Sequence, residues 1–332
     1  MKSYETSGSW TEYRDILATR FGIRIERRPA EIWRKIRGHD VHLDVWEPGE
    51  PAKGTLILVH GGGGNGRVLA PFADLAASLG WRALAPDLPG YGLTRPAPGY
   101  RGDYGEWPAV VAELADETEG PVVLMGLSVG GMTAAFAAEE AYRVDGVIAT
   151  TLLDMGDPAL LVRAARWRWL GWMSLLGFRL MPWIVDRLAM PVWLLAPMGV
   201  MSSDAGMKHF FARDPLLGKL WVRLRFFRSM HARKAARLAP RCPLLLVHPG
   251  ADAWTPTELS RPAFDRVEGP KELVELGNGS HLPLERPAFD ELRASISRFL
   301  GSIRHQRSSK TDELLPAQPD DITRDRQQTL RS

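Results

Sequence analysis

Cysteine is nearly absent: Cys242 stands alone in 332 residues, so no intramolecular disulfide can form. A reducing, cytoplasmic location is the expectation. Met1 to Trp10 is polar and lacks the apolar run of a secretory signal. Long hydrophobic runs are missing as well. The greasiest stretch, Leu170 to Val200, is interrupted by Arg179, Asp186 and Arg187 and by Pro182, Pro191 and Pro197. A membrane span needs roughly 20 mostly apolar residues in succession, so none is expected. Net charge is only +3. No dense Lys/Arg block with interleaved aromatics occurs, which argues against a nucleic-acid partner. No His/Cys/Asp cluster has ligand spacing and no Walker lysine follows the glycine loop, so neither metal nor P-loop nucleotide is expected. Nothing in the composition specifies an oligomeric state.

What is present is ordinary for a globular chain: 45% hydrophobic and 24% charged residues. Such a length buries a large core without staples. Trp10 to Phe21 reads as a short helix. Ile32 to Arg37 and Val41 to Trp46 read as two strands joined through Gly38, His39 and Asp40. From Thr55 the rhythm becomes strand, loop, helix. Strands are expected at 55–59, 81–85, 121–125, 144–153, 243–247 and 272–276. Helices are expected at 68–79, 107–119, 131–141, 257–267 and 288–300. Short apolar strands alternating with amphipathic helices predict an α/β fold, a mostly parallel sheet with helices on both faces.

The alternation stops between Asp154 and Pro240. Trp167, Trp169, Trp172, Trp183, Trp193 and Trp221 fall there, with many Met and Arg residues. An insertion of adaptable apolar side chains reads either as a cap over a site or as a helical subdomain whose Trp residues are core. The expected organisation is an N-terminal extension over 1–30, a core of 31–153 and 241–303, a helical cap over 154–240 and a disordered tail over 304–332.

Gly126-Leu127-Ser128-Val129-Gly130 lies between a strand and a helix. A serine hydroxyl is a poor nucleophile unless a base takes its proton and donors hold the developing oxyanion. A sharp strand-to-helix turn exposes the hydroxyl, and small residues two positions either side let the backbone close. The following helix presents free N–H groups, with the Val129 N–H as one oxyanion donor. The plainer alternative is a serine capping a helix beside a glycine turn. Among His39, His42, His60, His209, His231, His248, His281 and His305, His281 is the preferred base. It follows the strand 272–276 in a Gly/Asn loop, at the carboxyl end where catalytic groups of parallel sheets collect. Asp252, after the strand 243–247, is the preferred acid to orient it. Asp154 is the alternative, and either could instead be a turn residue.

These residues resemble the α/β-hydrolase superfamily from about Ile32 to Leu300. The likeness rests on His60-Gly61-Gly62-Gly63-Gly64-Asn65, Asp87-Leu88-Pro89-Gly90-Tyr91-Gly92, Gly126 to Gly130, Gly250-Ala251-Asp252 with Thr255-Pro256, and Gly279-Ser280-His281. The resemblance implies a second oxyanion donor at the Gly62 N–H, or at Gly63 because the glycine loop is long. It also implies a cap after the sixth strand and no cofactor. Ser128 disfavours members that use an Asp nucleophile. The activity implied is a serine hydrolase acting on an ester or related acyl bond of a small hydrophobic substrate. Same-fold peptidase, thioesterase, C–C hydrolase and cofactor-free haloperoxidase chemistries share that triad. The Arg excess leaves room for an acid group on the substrate or an anionic lipid surface. A different class also competes. Gly61 to Gly66 contains G-x-G-x-x-G after a strand, with Asp87 about 20 residues on, as in an NAD-binding oxidoreductase. That reading leaves Ser128, Asp252 and His281 without a role. A non-catalytic ligand-binding member is the remaining alternative.

Overall fold

A computed structural model describes residues 3–314 except residue 236, with side chains described to residue 305. Helix α1 (Gly8–Arg20) is capped by the Ser7 hydroxyl, which accepts from the Trp10 N–H. Strands β1 (Ala30–Ile36) and β2 (His39–Trp46) form an antiparallel hairpin in which Ile36 pairs with His39. The turn is therefore two residues, Arg37 and Gly38, both at positive φ. His39 and Asp40, expected in the turn, belong to β2 instead, because a two-residue turn of this hand matches strand twist.

The alternating part follows as β3 (Thr55–Val59), α2 (Ala70–Ser78), β4 (Arg82–Pro86), α3 (Glu106–Asp116), β5 (Val122–Gly126), α4 (Val129–Glu140) and β6 (Gly146–Ala149). Beyond the insertion come β9 (Leu244–Pro249), α11 (Thr257–Asp265), β10 (Lys271–Leu276) and α12 (Ala288–Leu314). The eight-stranded sheet runs in the order β1-β2-β4-β3-β5-β6-β9-β10. Pairing is antiparallel from β1 to β4 and parallel from there on. Every residue of β3, β5, β6 and β9 is buried. That explains why these strands read as continuous apolar runs without alternation. Helices α3 and α4 pack on each other. Helices α2 and α12 meet through the rings of Phe72 and Phe289.

The strand expected over 144–153 ends at Ala149. Thr150 donates its amide to Gly126 O, and the Thr151 hydroxyl donates to Ser128 O. The chain is thereby turned beneath Ser128. At the carboxyl end, α12 continues through 304–314. The remainder of the expected disordered tail, 315–332, lies outside the described residues.

Between β6 and β9 the chain forms α5 (Pro158–Ala164), α6 (Arg168–Leu180), α7 (Pro182–Val185), α8 (Val192–Leu195), α9 (Ala205–Arg213) and α10 (Leu224–Ala232), with a small ribbon of β7 (Ala189–Pro191) and β8 (Trp221–Arg223). This inserted segment is anchored to the sheet domain. Phe226 of α10 packs its ring on Trp107, 4.7 Å between centroids, and the Ser229 hydroxyl accepts from the Tyr104 N–H. Phe210 of α9 stacks on Tyr13 of α1. No helix among the described residues is long and apolar enough to cross a membrane.

Candidate active site

Ser128 joins β5 to α4 with φ 57° and ψ −134°, a backbone state costly for any residue with a side chain. Neighbouring glycines make it possible. A Cβ on Gly126 would lie 2.0 Å from Gly130 O, and one on Gly130 would lie 2.3 Å from Val59 O. The turn is locked by Gly130 N–H donating to Leu127 O and Gly131 N–H to Ser128 O. The Val129 amide opens the helix and has no preceding turn to donate to.

His281 follows β10 in a loop held by Glu285, which accepts from the Ser280 amide and hydroxyl. Its Nδ1 lies 2.7 Å from Asp252 Oδ2. Asp252 follows β9 and also accepts from the Trp254 amide and from the Thr255 amide and hydroxyl. Burial would raise the Asp252 carboxyl, but His281 and the Thr255 donors outweigh it and hold it down to about 2. The other edge of the imidazole, Nε2, is buried and bonded to no described residue. Ser128 and His281 line one small cavity with His60 and Gly61 to Gly64.

The expected residues thus converge from three loops at the carboxyl ends of β5, β9 and β10. Asp154 does not join them. It is paired with Arg266 at 2.7 Å and accepts from the Gly156 amide. His60 accepts from Leu88 N–H and is bonded to Gly61 O, and burial lowers its pKa. His248 is fixed against Pro249 O and Thr257. Both are internal struts. Two contributors have no role assigned from the sequence: Thr255, which appears there only as part of a motif, and Trp254. Thr255 bonds Asp252 and lies 3.2 Å from His281 Nδ1. Trp254 sets its ring against His281, 4.7 Å between centroids, and donates its indole N–H to Ala164 O of α5. The Asp-Ala-Trp-Thr-Pro run held a signal for Thr255, since a Thr three residues past an Asp closes a local turn. Nothing local marks Trp254.

A second cavity of about 850 Å³, mouth included, opens over Ser128. Gly62, Ser128 and Val129 form its floor, and Leu161, Leu170 and Phe178 of the inserted segment are among its walls. Among the described residues, its only polar side chains are Ser128, Ser174 and the Trp254 indole, and no Arg lines it. The Arg excess of the insertion is therefore spent elsewhere, for example in Arg225 and Arg228 bound to Asp186. Gly63 is turned to Val192, where a Cβ would approach to 2.7 Å.

Asp87 has no free edge for a ribose. It is fully buried and accepts from Gly66 N–H, Leu93 N–H and the Tyr4 hydroxyl. Gly66 is required because a Cβ there would meet Ala85 O at 2.3 Å. The glycine run therefore serves internal packing, and the dinucleotide reading loses its two signature residues. Glu31, His42 and Asp44 bring ligand atoms within 4.8 Å of one another. They lie on two strands of a hairpin, so sequence spacing did not reveal them. Arg67 already occupies both oxygens of Asp44 at 2.7 Å and approaches Glu31 at 3.2 Å, a donor set unsuited to a cation.

A mostly parallel α/β sheet with a strained serine at a strand-to-helix turn and a His–Asp pair at neighbouring strand ends defines the α/β-hydrolase class. The model of the Alpha/beta hydrolase family matches residues 56–289, and the chain belongs to that family. Lipase LipV of Mycobacterium tuberculosis is 33% identical over 129 residues, which cover 39% of this chain and 46% of LipV. The chain thus matches less than half the length of that relative. Among solved structures, a soluble variant of the Saccharomyces cerevisiae monoglyceride lipase aligns with TM-score 0.69 and 16% identity, covering 85% of this chain and 98% of that one. The Paleococcus ferrophilus monoacylglycerol lipase aligns with TM-score 0.61 and 21% identity, covering 79% and 99%. At these identities the structural likeness speaks to the fold.

Proposed function

We propose that the protein is a serine hydrolase that cleaves a carboxylic ester of a hydrophobic acyl substrate. The observation that carries this is His281, bound through Nδ1 to Asp252 while its buried Nε2 has no partner among the described residues, with His281 and Ser128 lining the same small cavity. In this reading the Ser128 hydroxyl attacks the ester carbonyl and His281 Nε2 takes the proton. Asp252 holds the tautomer and stabilises the imidazolium. The Val129 and Gly62 amides receive the oxyanion, Gly62 being favoured over Gly63 by its position on the floor of the larger cavity. His281 returns the proton to the leaving alcohol. Water, deprotonated by the same imidazole, then releases the acid.

The inserted segment acts as a cap, and its apolar walls select the acyl chain. A walled cavity without Arg disfavours a charged group at that end of the substrate. The resemblance to a lipase over part of the chain points the same way.

A fluorophosphonate probe tests the reading. Wild type is expected to label covalently, Ser128→Ala not at all, and His281→Ala far more slowly. A folded wild type that does not label overturns it. A panel of matched esters, thioesters, peptides and carbon–carbon substrates then separates the chemistries that share this triad, with esters expected fastest.

A further inference from the structure

All of the strongly exposed large hydrophobic side chains among the described residues, apart from Ile32 and Tyr142, lie in the inserted segment. Helix α6 is the centre of the patch. Its Leu170, Ser174 and Phe178 line the cavity over Ser128. Its opposite face carries Trp169, Trp172, Met173, Leu176 and Leu180, all exposed. Trp169 and Trp172 are 61% and 60% exposed, and Trp183 just beyond the helix is 63% exposed. A helix apolar on both faces needs an apolar environment on its outer side.

The charges around the patch indicate which environment. From Pro158 to Val185 the chain holds Arg163, Arg166, Arg168 and Arg179 and no Asp or Glu. Arg163, Arg168 and Arg179 are exposed, and no carboxylate pairs with them among the described residues. The next acid, Asp186, is already bound by Arg225 and Arg228. A twofold dimer through this face would set each arginine against the same unpaired arginines of its copy, without a counter-charge. An anionic lipid surface meets both demands. Trp rings prefer the water–hydrocarbon boundary, arginine heads reach the phosphates, and the segment lies on the bilayer without crossing it.

We propose that the outer face of α6, with Trp183, is an interfacial docking surface for anionic phospholipid. Docked in this way, α6 stands between the bilayer and the cavity, with one apolar face toward each. That the cavity loads from the bilayer rests on the hydrolase reading, whereas the docking itself does not.

Co-sedimentation of the full chain with vesicles of phosphatidylcholine, with and without phosphatidylglycerol, tests it. Wild type and Ser128→Ala are expected to bind the phosphatidylglycerol vesicles equally, so a failure of the hydrolase reading leaves this measurement intact. Trp169→Ser/Trp172→Ser is expected to weaken binding by about tenfold or more, with unchanged thermal unfolding and unchanged turnover of a short soluble ester. Arg168→Gln/Arg179→Gln is expected to abolish the preference for phosphatidylglycerol, as is high salt. Absence of vesicle binding by wild type at low salt overturns the proposal. So does a wild-type dimer that the Trp169→Ser/Trp172→Ser substitutions convert to monomer without affecting vesicle binding.

Discussion

Asp252 shows how the state of one side chain is set by several neighbours. Buried alone it would resist ionisation, yet His281 and the Thr255 amide and hydroxyl hold it charged. Asp252→Asn keeps the shape but favours the wrong imidazole tautomer, and kcat is expected to fall by about 10⁴-fold while the fold persists. Because the folded carboxyl sits at about 2, below its unfolded value, its stabilisation is present above that unfolded value. It is lost as pH falls toward about 2, and is worth roughly 2 kcal/mol. Urea unfolding from about pH 5 downward is expected to show that loss in wild type and a smaller one in Asp252→Asn. At this scale much was legible in the sequence. Ser128 and His281 could be named because each follows a recognisable strand, whereas Asp252 could only be preferred, since Asp154 follows a strand as well. Trp254 could not, since its hydrogen bond reaches Ala164 in a different part of the chain.

Elements impose the next constraint. The turn between β5 and α4 works only while Gly126 and Gly130 lack side chains, and a Cβ on Gly130 would press on Val59 O and His60 O. Gly130→Ala is therefore expected to destabilise by roughly 1–3 kcal/mol, read from urea midpoints, because β3 cannot give way inside the sheet. Helix α6 carries a second constraint. Gly171 fits against Val162 of α5, which brings the Ser174 side of the helix to the cavity. Ser174→Phe is expected to raise KM for long-chain esters while kcat/KM for the shortest esters is retained, as measured across an acyl series. Loss of all esters alike would show that the chain runs elsewhere. The sheet strands were legible from their apolar runs. The two faces of α6 were not, because both carry large apolar side chains and the sequence does not say which of them meets the cavity.

At the scale of the whole molecule, residues 3–30 are tied to both the sheet domain and the inserted segment. The Tyr4 hydroxyl donates to Asp87, the Ser3 hydroxyl to Glu31, and Tyr13 stacks on Phe210 of the inserted segment. The hub is Arg67, buried beneath the rings of Tyr4 and Trp10 and bound to Asp44 and Glu31. Arg67→Met removes the positive charge from among buried carboxylates and is expected to cost about 3–5 kcal/mol at neutral pH. Burial, only partly offset by Arg67, already lifts the Asp44 carboxyl to about 6. A raised folded value means that the contribution from its proton is present at low pH and lost as pH rises through about 6. Arg67→Met also removes the group that holds this value down, so it is expected to recover part of its stability as pH falls, beginning above pH 6, measured by denaturant midpoints.

The local order of strands and helices, the strained serine turn and the strand ends bearing Asp252 and His281 were determined by sequence. They depend on residues close together in the chain, through apolar runs, glycine spacing and turn chemistry. Tertiary structure decided which acid meets His281, because Asp154 is claimed by Arg266, distant in sequence. It also decided that the glycine run is filled by Asp87 and Ala85, and that the Trp-rich insertion turns one apolar face to the cavity and the other outward. Such outcomes depend on which distant groups reach the same point in space, and no periodicity along the chain encodes that.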